Sequence, residues 1–334
     1  MTSSEQIELL YQGFLHRTPR APEIEHWQKR MSDGLDWTGL ATELLACAEF
    51  VNLDAKQKAL FVPPGHFYSP IVDVEQVRQQ YGVVQPNIMP AGIKVDDAGM
   101  QRLWSEMVPL LREIDFPEDA EPRSRYHFRN SAFSYGDGSI LHAMLRRFRP
   151  KRLVEVGSGY SSACAVDTID RFLGGQVDVT FVEPYPALLH KLLGEDSAGR
   201  YTVHDKTVQA VDMEVFTQLQ SGDFLFVDST HIMKTGSDVC HELFNVLPAL
   251  KPGVFIHFHD IFWPFEYGPE WIVKQNRSWN EIYGLRAFLM FNDAFEIVFF
   301  NDWFVRNHRA SVEADYPMML KNTGGSIWLR KVGA

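Results

Sequence analysis

The sequence predicts an α/β fold in which helices cover a mostly parallel β-sheet, preceded by a small all-helical module. From residue 152 onward, short apolar runs alternate with segments of helical periodicity, which is typical of a parallel sheet with crossover helices. Residues 2 to about 55 carry helical periodicity without strand-like runs. The first apolar run is followed at once by Gly157-Ser158-Gly159, which indicates a strand, a tight turn and the start of a helix.

The composition is that of a globular protein of 334 residues with a formal net charge of −11. This excess of acidic side chains argues against a nucleic-acid partner. Cys47, Cys164 and Cys240 lie far apart and form neither a metal motif nor a disulfide framework, which favours a reducing, cytoplasmic location. We expect no signal peptide and no membrane span, because the N-terminus lacks a basic region before a long apolar one.

Changes in composition predict a helical module at residues 1–55, a proline-rich connector at 56–100 and a main domain at 101–334. In the module, Tyr11 lies on the apolar face of one helix, Trp27 lies in a second, and Asp36 can cap a third that continues to Phe50. The module is similar to a helical unit of unknown function attached to bacterial proteins linked to surface glycans, in the segments Leu10-Tyr11, Phe14 to Pro19, Glu25 to Trp27 and Ala48 to Phe50. That likeness implies no chemistry and leaves packing, or dimerisation into a homo-oligomer, as the plainer interpretation.

The connector contains a stiff aromatic loop, Pro-Pro-Gly-His-Phe-Tyr-Ser-Pro, at residues 63–70. Its prolines exclude a regular helix or a central strand. On such a loop, His66 and Tyr68 can form a lid over a pocket and contact a substrate. The alternative, a strap whose aromatic side chains pack on the core, stays open.

The main domain is predicted to contain seven strands, of which the last two are joined by a loop without a crossover helix. The strands are Leu153–Val156, Val179–Val182, Tyr201–Val203, Phe224–Val227, Val254–Phe258, Phe295–Phe300 and Ser326–Leu329. The spacing of apolar residues predicts helices at Gly99–Ile114, Asp137–Phe148 and Trp279–Phe291.

Carboxylates lie at the ends of the first five predicted strands, at Glu155, Glu183, Asp205, Asp228 and Asp260. Because the carboxyl ends of parallel strands meet at one edge of a sheet, these side chains are expected to face a ligand there. Any one of them can instead cap the helix that follows. Glu183, after the second strand, can accept hydrogen bonds from both hydroxyls of an adenosine ribose.

The stretch Leu153-Val154-Glu155-Val156-Gly157-Ser158-Gly159 resembles motif I of the class I S-adenosylmethionine (SAM)-dependent methyltransferases. The stretch lacks the Gly-Lys-Ser/Thr of a loop that binds nucleotide triphosphates. The acid Glu155 lies before the first glycine, where a dinucleotide-binding motif has an apolar residue. The resemblance implies a Rossmann-like sheet with an antiparallel seventh strand. It also implies SAM as the cofactor, with contacts from Glu155, Gly157, Ser158, Gly159, Ser162, Glu183, Asp205 and Asp228.

Later segments are similar to a bacterial family of class I methyltransferases that is grouped with small-molecule and sugar O-methyltransferases. The similarity spans about residues 60–334 and includes Phe226 to His231, His257 to Tyr267 and Trp279 to Glu281. It implies a small molecule or a glycan as the methyl acceptor.

A hydroxyl acceptor needs a group that takes its proton, at the ends of strands four and five. His231 is the first candidate, because imidazole titrates near neutral pH and the residue closely follows Asp228, which can orient it. His259 is the second candidate. His257 lies deeper in the strand and is expected to support the sheet.

A divalent metal is the alternative to a base. Catechol O-methyltransferase and macrolide-sugar O-methyltransferases bind Mg²⁺ with acids after strands four and five, positions that Asp228 and Asp260 match. Ile261 occupies the position of the third ligand of the catechol enzyme, so the choice between base and metal stays open. Tyr126 and Trp263 are further candidate substrate contacts.

The function predicted from these patterns is SAM-dependent O-methylation of a small molecule or a glycan. N-methylation of an amine is an alternative that needs less help from a base. An NAD(P)-dependent oxidoreductase is disfavoured, because Ser162 occupies the position of the third glycine. A non-catalytic scaffold protein is disfavoured by the intact glycine turn and strand-end acids.

Overall fold

The computed structural model describes residues 2–58, 60–80, 89–194 and 199–333. The chain divides into two units, residues 1–79 and 80–334. The predicted boundaries at residues 55 and 100 stay predictions, and residues 59 and 81–88 of the predicted connector lie outside the described part of the chain.

The N-terminal unit is built from α1 (Ser3–Leu15), α2 (Ala21–Ser32), α3 (Trp37–Ala46) and α4 (Ala48–Lys58), and α5 (Val74–Gln80) reaches its boundary. In its core, the Trp27 indole N–H donates to the Tyr11 hydroxyl at 2.8 Å. Asp36 caps α3 as predicted, by accepting the Gly39 N–H at 2.7 Å. The predicted continuous third helix is wrong, because the backbone is extended at Cys47 and separates α3 from α4.

The described part of the second unit contains seven strands. They are β1 (Arg152–Val156), β2 (Asp178–Val182), β3 (Thr202–His204), β4 (Phe224–Val227), β5 (Phe255–Phe258), β6 (Phe295–Phe300) and β7 (Ile327–Lys331). The helices are α6 (Asp97–Arg112), α7 (Tyr135–Phe148), α8 (Tyr160–Phe172), α9 (Ala187–Leu193), α10 (Glu214–Thr217), α11 (Asp238–His241), α12 (Leu247–Ala249), α13 (Glu281–Leu289), α14 (Asn301–Asn307) and α15 (Arg309–Asp315). Single helical turns of other types lie at Val208–Ala210, Glu242–Val246, Glu270–Lys274 and Pro317–Lys321.

The strands form one sheet in the order β3-β2-β1-β4-β5-β7-β6. The pairs among β1 to β5 are parallel, and β7 is antiparallel to both of its neighbours. The predicted Rossmann-like sheet with an antiparallel last strand is confirmed. The strand order reverses between β1 and β4, so a crevice lies at this edge beyond their carboxyl ends, where such sheets bind ligands.

The connection between β6 and β7 differs from the predicted loop. It contains α14 and α15, whose Trp303, Phe304 and Val312 are buried. The prediction is wrong because Phe300 occupies the position before α14 and offers no side-chain cap, so the usual polar signal of a helix start is missing.

Among the residues that the structure describes, no helix combines the length and the apolar character needed to cross a bilayer. Cys47, Cys164 and Cys240 are free thiols, and Cys164 is buried in α8.

Candidate active site

The glycine turn after β1 rests on the end of β4. Gly157 has a φ of +78°, and a Cβ atom at this position would lie 1.8 Å from the backbone oxygen of Asp228. The Gly157 N–H donates to the Val182 carbonyl at 3.0 Å, and the Asp228 N–H donates to the Val156 carbonyl at 2.9 Å. The turn therefore joins the ends of β1, β2 and β4, and the sequence has glycine here because a side chain has no room.

The second half of the turn opens α8. An added Cβ at Gly159 would meet only Leu188, at 3.7 Å. The Gly159 N–H donates to the Ser162 hydroxyl at 3.1 Å, and Ser162 is fully buried. Ser162 therefore holds the turn from the buried side, and its contact with a cofactor stays a prediction.

Glu155 lies beneath the turn and is 1% exposed. The Ser161 hydroxyl donates to its Oε1 at 2.5 Å, while Oε2 has no hydrogen-bond partner among the described residues. Burial raises the pKa of Glu155 to about 8, although the hydroxyls of Ser161 and Ser162 lower it. A protonated, buried Glu155 supports the turn, and its direct contact with a cofactor stays a prediction.

Glu183 follows β2 at the same edge of the sheet. One carboxylate oxygen accepts the Ser158 N–H at 3.0 Å and the Ser158 hydroxyl at 3.2 Å, and the other accepts the Tyr185 N–H at 2.8 Å. The side chain of Tyr185 is 84% exposed. Glu183 is half-buried and keeps lone pairs for further donors, and the exposed Asp205 follows β3.

Asp228, directly after β4, lies between two imidazole rings. Its Oδ1 is 3.3 Å from His259 Nδ1 and 3.5 Å from His231 Nε2. Burial alone would raise the pKa of Asp228, but the two rings lower it below its ordinary range. The carboxylate is therefore ionised, and 28% of its side chain remains exposed.

His231 lies on the loop after β4 and is 5% exposed. Its Nδ1 is 2.7 Å from Glu281 Oε2, and its Nε2 is 3.5 Å from Asp260 Oδ2 as well as from Asp228. Burial alone would lower the pKa of His231, but Asp228 and Glu281 raise it to about 10. A ring that holds both protons at neutral pH takes up no other, which argues against the predicted role of His231 as the base.

His259 and Asp260 follow β5. His259 Nε2 lies 3.5 Å from Asp137 Oδ2, so carboxylates face both of its ring nitrogens. Burial alone would lower the pKa of His259, but Asp260, Asp228 and Asp137 raise it well above its ordinary value. Burial raises the pKa of Asp260, against the lowering effect of His259 and His231. The affinity of Asp260 for a proton is therefore increased, as is that of Glu281, whose pKa burial also raises, and of these two residues Asp260 lines the cavity described below.

A cavity of about 600 Å³ opens beside these residues. Asp137 and His259 are buried in its wall, and Asp260 lines it with a side chain that is 16% exposed. Its other lining residues include Phe262, Trp263, Trp271, Arg306 and Asn322. The rings of Phe262 and Trp271 meet edge to face with their centroids 5.2 Å apart. A cavity of this size holds a small organic molecule. Trp263 lines it, and its contact with a substrate stays a prediction.

Three other predicted residues lie elsewhere. Tyr126 is fully buried and its hydroxyl donates to the Phe133 carbonyl at 2.9 Å, so its predicted contact with a substrate is wrong. His66 and Tyr68 belong to the N-terminal unit, and their contact with a substrate stays a prediction.

His257 is fully buried in β5, with Nε2 2.8 Å from Ser326 Oγ. Burial lowers the pKa of His257 well below its ordinary value, so the ring is neutral. The Ser326 hydroxyl in turn donates to Asp137 Oδ1 at 2.5 Å. His257 therefore supports the sheet and, through Ser326, the wall of the cavity.

Within residues 2–58, 60–80, 89–194 and 199–333, no group of three or more His, Cys, Asp or Glu side chains is arranged to hold a metal ion. Asp228 and Asp260 face the rings of His231 and His259 instead. The predicted metal site therefore does not fit the side chains present.

Asp137 and Glu281 belong to this site although the sequence pattern assigns them no chemistry. Asp137 lies in the first turn of α7, and Glu281 begins α13. Neither residue follows a strand, so the rule that ligands lie at strand ends does not find them. The sequence contains a weak signal for Glu281, because the segment Trp279-Asn280-Glu281 is part of the similarity to the bacterial family of class I methyltransferases.

One comparison with known proteins matches the region around these strand ends. A family described as a methyltransferase domain matches residues 154–261, which run from β1 to the residue after Asp260. An uncharacterised protein of Archaeoglobus fulgidus is 30% identical to this chain over 165 residues. The match covers 47% of this chain and 73% of that protein.

Two solved structures resemble the chain at low sequence identity. The O-methyltransferase TomG from Streptomyces achromogenes is 14% identical, with a TM-score of 0.38, over 77% of this chain and 96% of that chain. The methyltransferase PaMTH1 from Podospora anserina is 13% identical, with a TM-score of 0.37, over 77% of this chain and 95% of that chain.

Substitution of the two turn glycines should have unequal effects on folding. Gly157→Ala places a methyl group against the Asp228 backbone oxygen at a positive φ, so we expect a loss of at least about 2 kcal/mol in the free energy of unfolding. Gly159→Ala meets only a side-chain methyl group and should change the stability by less than about 1 kcal/mol. Urea unfolding of both variants measures the difference. Equal losses would contradict the packing of Gly157 on β4.

Glu155 should make the protein less stable as the pH rises. The folded state retains the proton of Glu155 up to a pH of about 8, whereas the unfolded chain releases it near 4.5. The folded state therefore binds more protons between these values, and its stability falls as the pH rises from about 4.5 to about 8. Glu155→Gln cannot ionise and should lack this part of the decrease. Unfolding curves across this range, measured for both proteins, test the assignment, and identical pH dependence would rule it out.

Proposed function

The chain carries a methyltransferase domain at residues 154–261, and we propose that it is a SAM-dependent enzyme that methylates a hydroxyl group of a small molecule or a glycan. The observation that carries the proposal is the cavity of about 600 Å³ that is lined by the buried His259 and the partly exposed Asp260. These residues follow β5, next to the strand end that holds the glycine turn. A methyl donor bound at the glycine turn and a methyl acceptor bound in the cavity would thus lie next to each other.

The residues at the turn fit SAM. Beside Gly159, an added Cβ atom would meet only Leu188, and the half-buried Glu183 offers carboxylate oxygens for the two ribose hydroxyls. When bound, SAM supplies a methyl group on a sulfonium ion. Asp228 lies between the turn and the cavity, and its ionised side chain suits the positive charge of the donor. A contact of Asp205 with the adenine remains part of the proposal.

Asp260 is the residue that we assign to take the proton of the acceptor hydroxyl. It lines the cavity, and burial increases the affinity of its carboxylate for a proton. His259 and His231 carry positive charge beside it, which keeps Asp260 ionised before the acceptor binds. The acceptor oxygen would take the methyl group as its bond to the sulfonium sulfur breaks, which would leave S-adenosylhomocysteine, and the proton of the acceptor would pass to Asp260. This role replaces the base function that the sequence suggested for His231.

The lining of the cavity suits a ring that carries several hydroxyl groups. Phe262 and Trp271 offer aromatic surface for the faces of such a ring. Arg306 and Asn322 offer hydrogen-bond donors, and Glu266 offers an acceptor. A sugar or a phenolic compound combines these features. The free cysteines suit a reducing compartment such as the cytoplasm.

N-methylation of an amine is the second candidate. The cavity is lined by four carboxylates, Asp137, Asp260, Glu266 and Glu270, and a cationic amine would be attracted to them. Transfer of labelled methyl groups from SAM to matched panels of phenols, sugars and amines tests both candidates. Label on hydroxyl compounds supports the proposal, and label on amines alone selects the alternative.

Removal of the Glu183 charge should weaken SAM binding. Glu183→Gln keeps the shape but replaces one acceptor oxygen by a donor, so we expect a loss of about 1.5–3 kcal/mol in the binding free energy of SAM. Asp178→Asn is the matched control, because Asp178 begins the same strand and lies at its opposite end. Calorimetry with SAM and with S-adenosylhomocysteine measures both variants. Unchanged affinity in Glu183→Gln would remove Glu183 from the cofactor site.

Asp260→Asn should abolish most of the methyl transfer while leaving the cofactor bound. The amide takes up no proton, so we expect the rate at saturating substrates to fall by about 10²–10⁴-fold, with the affinity for SAM nearly unchanged. Single-turnover kinetics separates transfer from binding. An active Asp260→Asn protein beside an inactive His231→Gln protein would return the base to His231, as the sequence first suggested.

A further inference from the structure

The segment Trp279-Asn280-Glu281 holds the loop that carries His231. The Asn280 side chain accepts the Met233 N–H at 2.5 Å and donates to the Met233 carbonyl at 3.2 Å. The Trp279 ring lies against the His231 ring, with their centroids 4.3 Å apart. The start of α13 is thus fixed to the loop after β4 by side chains from both segments.

The backbone of His231 is held in the same way. Its φ is +61°, in the left-handed region that side chains other than glycine adopt at a cost in free energy. Its carbonyl accepts the N–H groups of Asn280 and Glu281, each at 3.1 Å. Bonds from a second segment therefore stabilise a conformation that the loop alone would seldom adopt.

Glu281 also fixes the ring. Its Oε2 lies 2.7 Å from His231 Nδ1, and both side chains are almost fully buried. With Nδ1 held, Nε2 lies 3.5 Å from one oxygen of Asp228 and 3.5 Å from one oxygen of Asp260. The contact between Glu281 and His231 thus determines where His231 presents its second N–H.

We propose that Glu281 is a positioning residue, which holds His231 so that Nε2 bridges the two carboxylates at the ends of β4 and β5. The inference rests on the proposed function, because the contacts of His231 Nε2 with the two carboxylates are assigned the role of aligning Asp260 with the methyl acceptor. Two carboxylates at this edge repel each other, and an N–H between them keeps them in place. Glu281 touches neither substrate in this role and acts through His231.

Glu242 provides the matched control. Like Glu281 it is 1% exposed, but its hydrogen bond comes from the Ser229 hydroxyl at 3.0 Å and not from His231. Glu281→Gln and Glu242→Gln therefore replace the same side chain at the same depth, and of the two only Glu281→Gln alters the hydrogen bond to His231. A general loss of packing affects both variants, whereas a loss of positioning affects only the first.

The kinetic test compares both variants with the wild-type protein, using the acceptor found in the methyl-transfer screen. We expect Glu281→Gln to lower kcat by about 100-fold, at the low end of the contribution of acid–base groups, with less than a threefold change in either KM. Glu242→Gln should stay within threefold in kcat. Equal kcat values for Glu281→Gln and the wild-type protein, or equal losses in both variants, would overturn the proposal.

A spectroscopic test does not depend on activity. In the proton–nitrogen spectrum of histidine-labelled protein, the Nδ1 proton of His231 should lie far downfield because it bonds a carboxylate, and His231→Gln identifies its signal among the 12 histidines. The signal should move upfield in Glu281→Gln and stay in Glu242→Gln. A signal unmoved in Glu281→Gln overturns the proposal. A wild-type protein that methylates nothing while this signal behaves as expected overturns only the proposed function.

Asn280→Ala provides a second test in case the Glu281→Gln protein does not fold. It removes both side-chain bonds to Met233 and leaves the Glu281 carboxylate intact. We expect a smaller fall in kcat, about tenfold, with S-adenosylhomocysteine affinity unchanged. Wild-type kcat in a folded Asn280→Ala protein would contradict the role of this segment.

Discussion

The two halves of the site depend on Asp228. Its backbone oxygen occupies the space that a side chain at position 157 would need, which fixes the glycine turn to the end of β4. Its carboxylate lies within 3.5 Å of His231 and His259, which belong to the acceptor side. One residue therefore sets the distance between the surface proposed for the cofactor and the cavity. Any shift of the β4 end would move both.

Buried charge is the second constraint, because ionised groups without partners are costly inside a protein. Here, four carboxylates face two imidazole rings: Asp137, Asp228, Asp260 and Glu281 around His231 and His259. Burial and pairing change the pKa values in opposite directions, so the neighbours of each group determine whether that group is charged. Glu155, buried without a basic partner among the described contacts, keeps its proton instead.

The walls of the cavity come from parts of the chain that are far apart in sequence. Asp137 enters from the first turn of α7, and Gly324 lies so close that an added Cβ would be 2.2 Å from its Oδ1. Ser326, just before β7, donates to the same oxygen. Glu281 reaches His231 from the start of α13. The antiparallel end of the sheet thus contributes to the site as well as closing the fold.

The sheet, the glycine turn and the acids at the strand ends could be predicted from the sequence, because they follow from local periodicity and from the rule that parallel strands end at one edge. The sequence did not determine which side chains are buried. Tyr126 and Ser162 are buried, and His231 keeps both ring protons because Glu281 faces it. The spacing of residues along the chain does not encode this burial or this contact. The helices after β6 were missed because Phe300 gives no cap signal. Packing between distant segments decided the charges and the walls of the site, since burial and pKa depend on neighbours that only the folded chain brings together.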